Sequence, residues 1–162
     1  MAKKLRVDFH THTADDPQDY IAFSSRELID KAGGLGFDAL AITNHDAVTF
    51  SPELETYARE RGILLLPGVE LTLSHKHVVL INPEPDNLHQ IRELGDLAEI
   101  KSERNLVIAP HPFYPGFKCL WSKLEKHLSL FDAVEYSFFY SRLINRNKRA
   151  VEVARKHQKT LV

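Results

Sequence analysis

Nine histidines and a single cysteine stand among the 162 residues, and most of the histidines fall in one kind of place. His10 and His12 lie two residues apart, so in a strand both rings face the same side, with Asp8 beside them. Two imidazoles converging at a strand end make a metal-binding arm; two polar loop residues are the plainer alternative. Thr43–Asn44–His45–Asp46 again puts a histidine just past an apolar run. Glu70 sits between Val69 and Leu71, an odd place for a solvated carboxylate. His75 and His77 open another apolar run, and Ala109–Pro110–His111–Pro112 closes one. Imidazole and carboxylate without thiolate suit zinc, manganese, iron or cobalt, and disfavour a sulfur-rich structural zinc site. At least five histidines and one carboxylate exceed the four ligands of one tetrahedral ion, so more than one ion is expected. Clustered ions of this kind activate water and clamp phosphoryl oxygens during in-line attack.

Such residues need strand ends to hold them. Leu5–Phe9, Asp38–Thr43, a broken Ile63–Leu66 and Val69–Leu73, His77–Ile81, Asn105–Ala109, Phe131–Tyr136 and Thr160–Val162 have strand character. Helical periodicity predicts Ser24–Phe37, with a Ser24/Glu27 capping box, and a helix opened by Ser51–Pro52. It also predicts a long helix over Asp86–Arg104, a short one over Trp121–Leu128 and a last one over Arg142–His157. Strands alternating with helices predict a parallel α/β sheet with barrel-like closure, whose C-terminal strand ends surround one mouth. The metal-capable residues flank five successive strands. His89, His127 and His157 fall on predicted helices and are taken as surface or packing residues.

Composition narrows the rest. A length of 162 residues, 43% of them hydrophobic, suits one domain with a real core and excludes disorder. No apolar run approaches the twenty or so residues of a membrane span, and no apolar segment follows the basic start as in a secretory signal. The lone Cys119 fits a reducing compartment and a cytoplasmic protein; it has no paired base in sequence and is expected to pack. A net charge of −1 argues against a large electrostatic footprint for duplex nucleic acid.

The stretches Asp8–Thr13, Ala41–Asp46, Pro67–Glu70, His77–Leu80 and Ala109–Pro112, in that order, resemble the PHP (polymerase and histidinol phosphatase) superfamily from about Val7 to the last residue. The resemblance implies a distorted (β/α)7 barrel and a metal-dependent phosphoesterase holding two to three divalent ions. His10, His12 and Glu70 would bind one ion, with Glu70 bridging to another held by His77 and His111. His45 would bind a third, with Asp19 or Asp16 as its acidic partner; counting back from the capped helix favours Asp19, and Asp15 lies close by. A hydroxide bridging two ions would attack phosphorus, with Asp8 orienting a ligand ring. The implied substrates are nucleotides, short oligonucleotides or sugar and amino-alcohol phosphates. A non-catalytic metal-binding module and the front of a larger nuclease or polymerase-associated protein are the rival expectations.

Two departures from the family pattern stand out. Asn44 occupies a position where the family usually has aspartate. The chain also ends just before the family's last Asp-x-His motif, so the barrel is expected to be incomplete at the C-terminus, poorly active and prone to self-association through an open edge. Among substrate contacts, Phe113, Tyr114 and Phe117 could form an aromatic wall, though filling a rim is the simpler role. Arg142 is the best phosphate-binding candidate of the basic run that includes Arg146, Lys148 and Arg149.

Overall fold

The computed structural model describes residues 4–138, 140–141 and 143–162; Arg142 therefore lies outside the described residues. The chain folds into two compact units, Met1–Glu70 with Ile81–Pro83, and Leu71–Leu80 with Glu84–Val162. Its architecture is mixed α/β, with seven strands and five α-helices among the described residues.

In the first unit, β1 (Val7–Thr11), β2 (Ala39–Ile42) and the first part of β3 (Leu64–Leu73) pair in parallel. Between them run α1 (Ser25–Gly34) and α2 (Pro52–Arg59). The Ser24/Glu27 capping box forms as expected, and Gly36 follows the end of α1 at φ +73, a conformation that costs glycine little. Ser51 caps α2 with Pro52 at its first position. Ile29, Leu40, Ile42, Ala58, Ile63 and Leu65 form the core between helices and strands. The β1–β2 register shifts between Asp8 and Thr11, an irregularity that re-aims the strand end carrying the histidines.

The broken third strand expected around Pro67 and Gly68 is one continuous strand. A Cβ on Gly68 would sit 2.8 Å from the Thr43 side chain and 3.2 Å from the Ile42 carbonyl, so only glycine lets β3 pass that close to β2.

In the second unit, β3 turns into β4 (Lys76–Ile81) through Ser74 and His75, at φ 49 and 60. Two successive positive φ values in a two-residue loop make a hairpin of the I′ kind. The connection is thus antiparallel, where strand–helix alternation predicts a parallel crossover. His75 lies exposed in that turn, between the end of β3 and the start of β4.

The long helix expected over residues 86–104 is also absent. In its place come two 3-10 turns, Pro85–Gln90 and Leu94–Asp96, and the single-turn α3 (Leu97–Ile100). The Asp96 carboxylate takes the Arg92 and Glu93 N–H groups at 2.9 and 2.8 Å, and the Ser74 N–H takes the Arg92 carbonyl. A side chain and a neighbouring turn thereby satisfy the main chain that a helix would have used.

β5 (Leu106–Ala109), β6 (Ala133–Val134) and β7 (Thr160–Leu161) pair in parallel, linked by α4 (Ser122–Lys126) and α5 (Asn147–Lys156), which packs on β6 and β7.

Candidate metal centre

The first unit gathers five of the residues singled out by type and spacing. β1 delivers His10, the segment just past it delivers His12 and Asp16, the segment just past β2 delivers His45, and β3 delivers Glu70. Hydrogen bonds between the strand ends fix this assembly. The Thr43 N–H meets the Thr11 carbonyl at 2.8 Å, and the Thr43 hydroxyl accepts from the Thr11 N–H. His45 and Glu70 form a parallel bridge, with the Glu70 N–H on the Asn44 carbonyl and the Asp46 N–H on the Glu70 carbonyl. Behind them Asn44, fully buried, accepts from the Thr13 N–H and donates to the Thr13 and Thr49 hydroxyls. This neutral amide uses donors and acceptor alike, which an aspartate at the same place could not do.

One oxygen is the focus. Glu70 Oε2 lies 3.4 Å from His10 Nε2, 3.2 Å from His12 Nε2 and 3.1 Å from His45 Nε2, and the residue is 1% exposed. Two neighbours in a tetrahedral shell with bonds of about 2.0–2.1 Å are separated by about 3.3 Å. The gaps around Glu70 match that spacing, and hard–borderline N/O donors suit a divalent ion. His10, His12 and Glu70 form one possible ion-binding group, and His12, Asp16 and His45 another.

Asp16 stands on the other side of two of these rings. It lies 2.7 Å from His12 Nδ1 and 3.0 Å from His45 Nδ1. Burial pushes its carboxyl up, but N–H groups of His45, Asp19 and Gln18 and the His12 ring outweigh this and hold it well below the usual carboxylate range. Burial pushes the His45 ring down, and the hydrogen bonds and charges of Glu70 and Asp16 more than reverse this, so His45 protonates more readily than usual.

Asp19, favoured by counting, is an exposed carboxylate 4.0 Å from His45 Nδ1. Asp15 is occupied elsewhere, accepting from the Ser25 hydroxyl at 2.8 Å. Asp8 accepts the His10 main-chain N–H at 3.3 Å, bracing the strand through its backbone.

The remaining candidates belong to the second unit. The His77 and His111 rings meet edge-on with centroids 5.5 Å apart. His111 has φ 29 between two prolines, and its N–H is held by the Glu135 carboxylate. Its Nδ1 lies 3.3 Å from the buried Cys119 thiol, so Cys119 does have an imidazole partner, supplied by folding across eight residues and invisible in the sequence. Phe113 is buried against Trp121, while Tyr114 and Phe117 are exposed. Arg146 and Arg149 lie over the Trp121 and Phe113 rings, and a small cavity beside His111 is lined by Tyr114, Ser137, Arg146 and Asn147.

No family model matches the chain. A two-domain protein from Bacteroides vulgatus containing a predicted PHP-like metal-dependent phosphoesterase superposes with a TM-score of 0.69, at 21% identity over 97% of this chain and 50% of its own. The chain has a PHP-like fold. An amidohydrolase from Chromobacterium violaceum, solved with sulfate and no metal, superposes with a TM-score of 0.69, at 17% identity over 96% of this chain and 85% of its own. In sequence, a PolC-type DNA polymerase III from Oceanobacillus iheyensis is 34% identical over 88 residues, which is 54% of this chain but 6% of the polymerase. The PHP resemblance read from the motifs is thus matched by a likeness of fold.

Proposed function

We propose that the PHP-like chain is a metal-dependent phosphoric ester hydrolase. The observation that carries this is the meeting of three imidazole Nε2 atoms on one buried carboxylate oxygen, at the spacing of a metal shell. His10, His12, His45 and Glu70 are the residues that would hold an ion in the first unit, and His77 and His111 are further candidate ligands in the second. A divalent ion bound there supplies Lewis acidity toward a phosphoryl oxygen and lowers the pKa of water. The protein's own part is to fix rings and carboxylate in place: main-chain bonds from β1, β2 and β3 hold the three strand ends, and the Asp8 carboxylate braces His10. Candidate substrates are nucleotides, short oligonucleotides and sugar or amino-alcohol phosphates. The phosphoesterase description of the Bacteroides structure supports this class.

A second reading is favoured by the PolC-type similarity: the same fold serving as a metal-binding module of a larger replication protein. A panel of monoesters, diesters and dinucleotides, assayed with zinc, manganese or iron, separates the two. Metal-dependent hydrolysis that vanishes in Glu70→Ala and His111→Ala supports the hydrolase. Metal binding without hydrolysis of any panel member supports the module.

A further inference from the structure

The Asp16 carboxylate is saturated. Its Oδ1 accepts the Gln18 N–H at 2.8 Å and the Asp19 N–H at 2.9 Å. Its Oδ2 accepts the His45 N–H at 2.9 Å and faces His12 Nδ1 at 2.7 Å. His45 Nδ1 lies between both oxygens, at 3.1 and 3.0 Å. An ionised carboxylate offers about four lone-pair sites, and five donors surround this one. Its side chain has no accessible surface, so water adds no further partner.

The consequence reaches the rings. Three main-chain N–H groups already rest on its oxygens, and an ionised carboxylate only accepts, so in the metal-free chain each Nδ1 that bonds it does so as an N–H donor. Each ring then has its other nitrogen available as a ligand, and in both cases that nitrogen, Nε2, faces Glu70 Oε2. A carboxylate behind a ligand imidazole fixes its tautomer and raises its basicity. Here a single carboxylate serves two rings, stacked with centroids 4.6 Å apart.

We infer that Asp16 is a positioning residue that stays outside the coordination shell, clamping His12 and His45 together through their Nδ1–H groups so that both present Nε2 to metal on the Glu70 side. This rests on the metal centre proposed above but departs from the ligand role that the family pattern implies for an acidic residue here. The turn itself is built for the purpose: the Asp16 N–H closes on the Thr13 carbonyl, and the Gln18 and Asp19 amides fold back onto the carboxylate. Those amides supply the charge compensation a metal would otherwise give.

The test is a long-range 1H–15N spectrum of the histidine rings in the full metal-free chain, at alkaline pH, before and after adding Zn2+. His12 and His45 are expected as Nδ1–H tautomers, with Zn2+ moving their Nε2 signals and leaving the Nδ1 protons in place. Loss of either Nδ1 proton on adding Zn2+, or an Nε2–H tautomer in the free protein, overturns the inference. Asp16→Asn is expected to flip at least one ring and weaken Zn2+ binding about 10–100-fold with the number of bound ions unchanged; loss of an ion makes Asp16 a ligand instead. Should that variant fail to fold, the wild-type spectra decide alone. Histidine rings that ignore Zn2+ altogether defeat both the metal centre and the clamp. Nε2 shifts without any phosphoester hydrolysis defeat the hydrolase reading and leave the clamp standing.

Discussion

Asn44 and His45 are adjacent in sequence and do opposite jobs. Asn44 is a neutral hinge pin, fully buried with its amide spent on Thr13 and Thr49. Asn44→Ala leaves the Thr13 N–H without its acceptor, and such orphaned buried groups cost about 1–3 kcal/mol, which urea unfolding of the metal-free chain should register. His45 carries charge into the same region, held by Glu70 and Asp16. Its folded pKa lies above its ordinary value of 6.5, so its contribution to stability is complete below that value and is lost as pH rises through the folded one. Asp16 works the other way. Its contribution is present above its ordinary value of 3.8 and is lost as pH falls through its lowered folded value. Metal-free protein should therefore lose melting temperature as the solution is made alkaline past the histidine range, and His45→Gln should flatten that decline. An unchanged slope in the variant counts against the assignment.

Elements determine whether these residues meet. β3 carries Glu70 to His45 because Gly68 lets it run against Thr43 and Ile42. Gly68→Ala forces the strands apart or strains them, at a cost of about 1–3 kcal/mol, and should weaken metal binding more than an alanine on the solvent face of α2. Caps, strand positions and the metal-capable strand ends were legible in the sequence because each is a local signal: Ser24 with Glu27, Ser51 with Pro52, a histidine after an apolar run. The Asp86–Arg104 segment shows where local signals fail. Its apolar spacing suits a helix, but Asp96 and Ser74 claim the backbone groups of Arg92 and Glu93, and one of those partners is eighteen residues away from the nearer of the two. The Ser74–His75 hairpin was hidden for a different reason: neither residue is the glycine or asparagine that usually marks positive φ. The choice between Asp16 and Asp19 likewise needed the turn geometry, which counting along the chain does not supply.

At the scale of the whole molecule, a cluster of histidines and carboxylates able to hold an ion makes ion binding a lever on stability that can be measured. An ion that binds only the folded chain, supplied at 100 times its Kd, adds about 2.7 kcal/mol, so Zn2+ should raise the melting temperature and a chelator should return it. Among the described residues no helix is long and apolar enough to cross a membrane. The PolC-type relative matches over a small part of its own length, and the Bacteroides structure over half of its chain, so what those proteins do as wholes bears on this chain only as a proposal. The most direct test of the metal centre is equilibrium dialysis of the full chain against Zn2+, followed by elemental analysis, for wild type and Glu70→Ala. Wild type should retain zinc, and Glu70→Ala should lose affinity by more than the roughly 10–100-fold that follows loss of an outer partner. Equal retention of zinc by a folded Glu70→Ala variant would contradict the account.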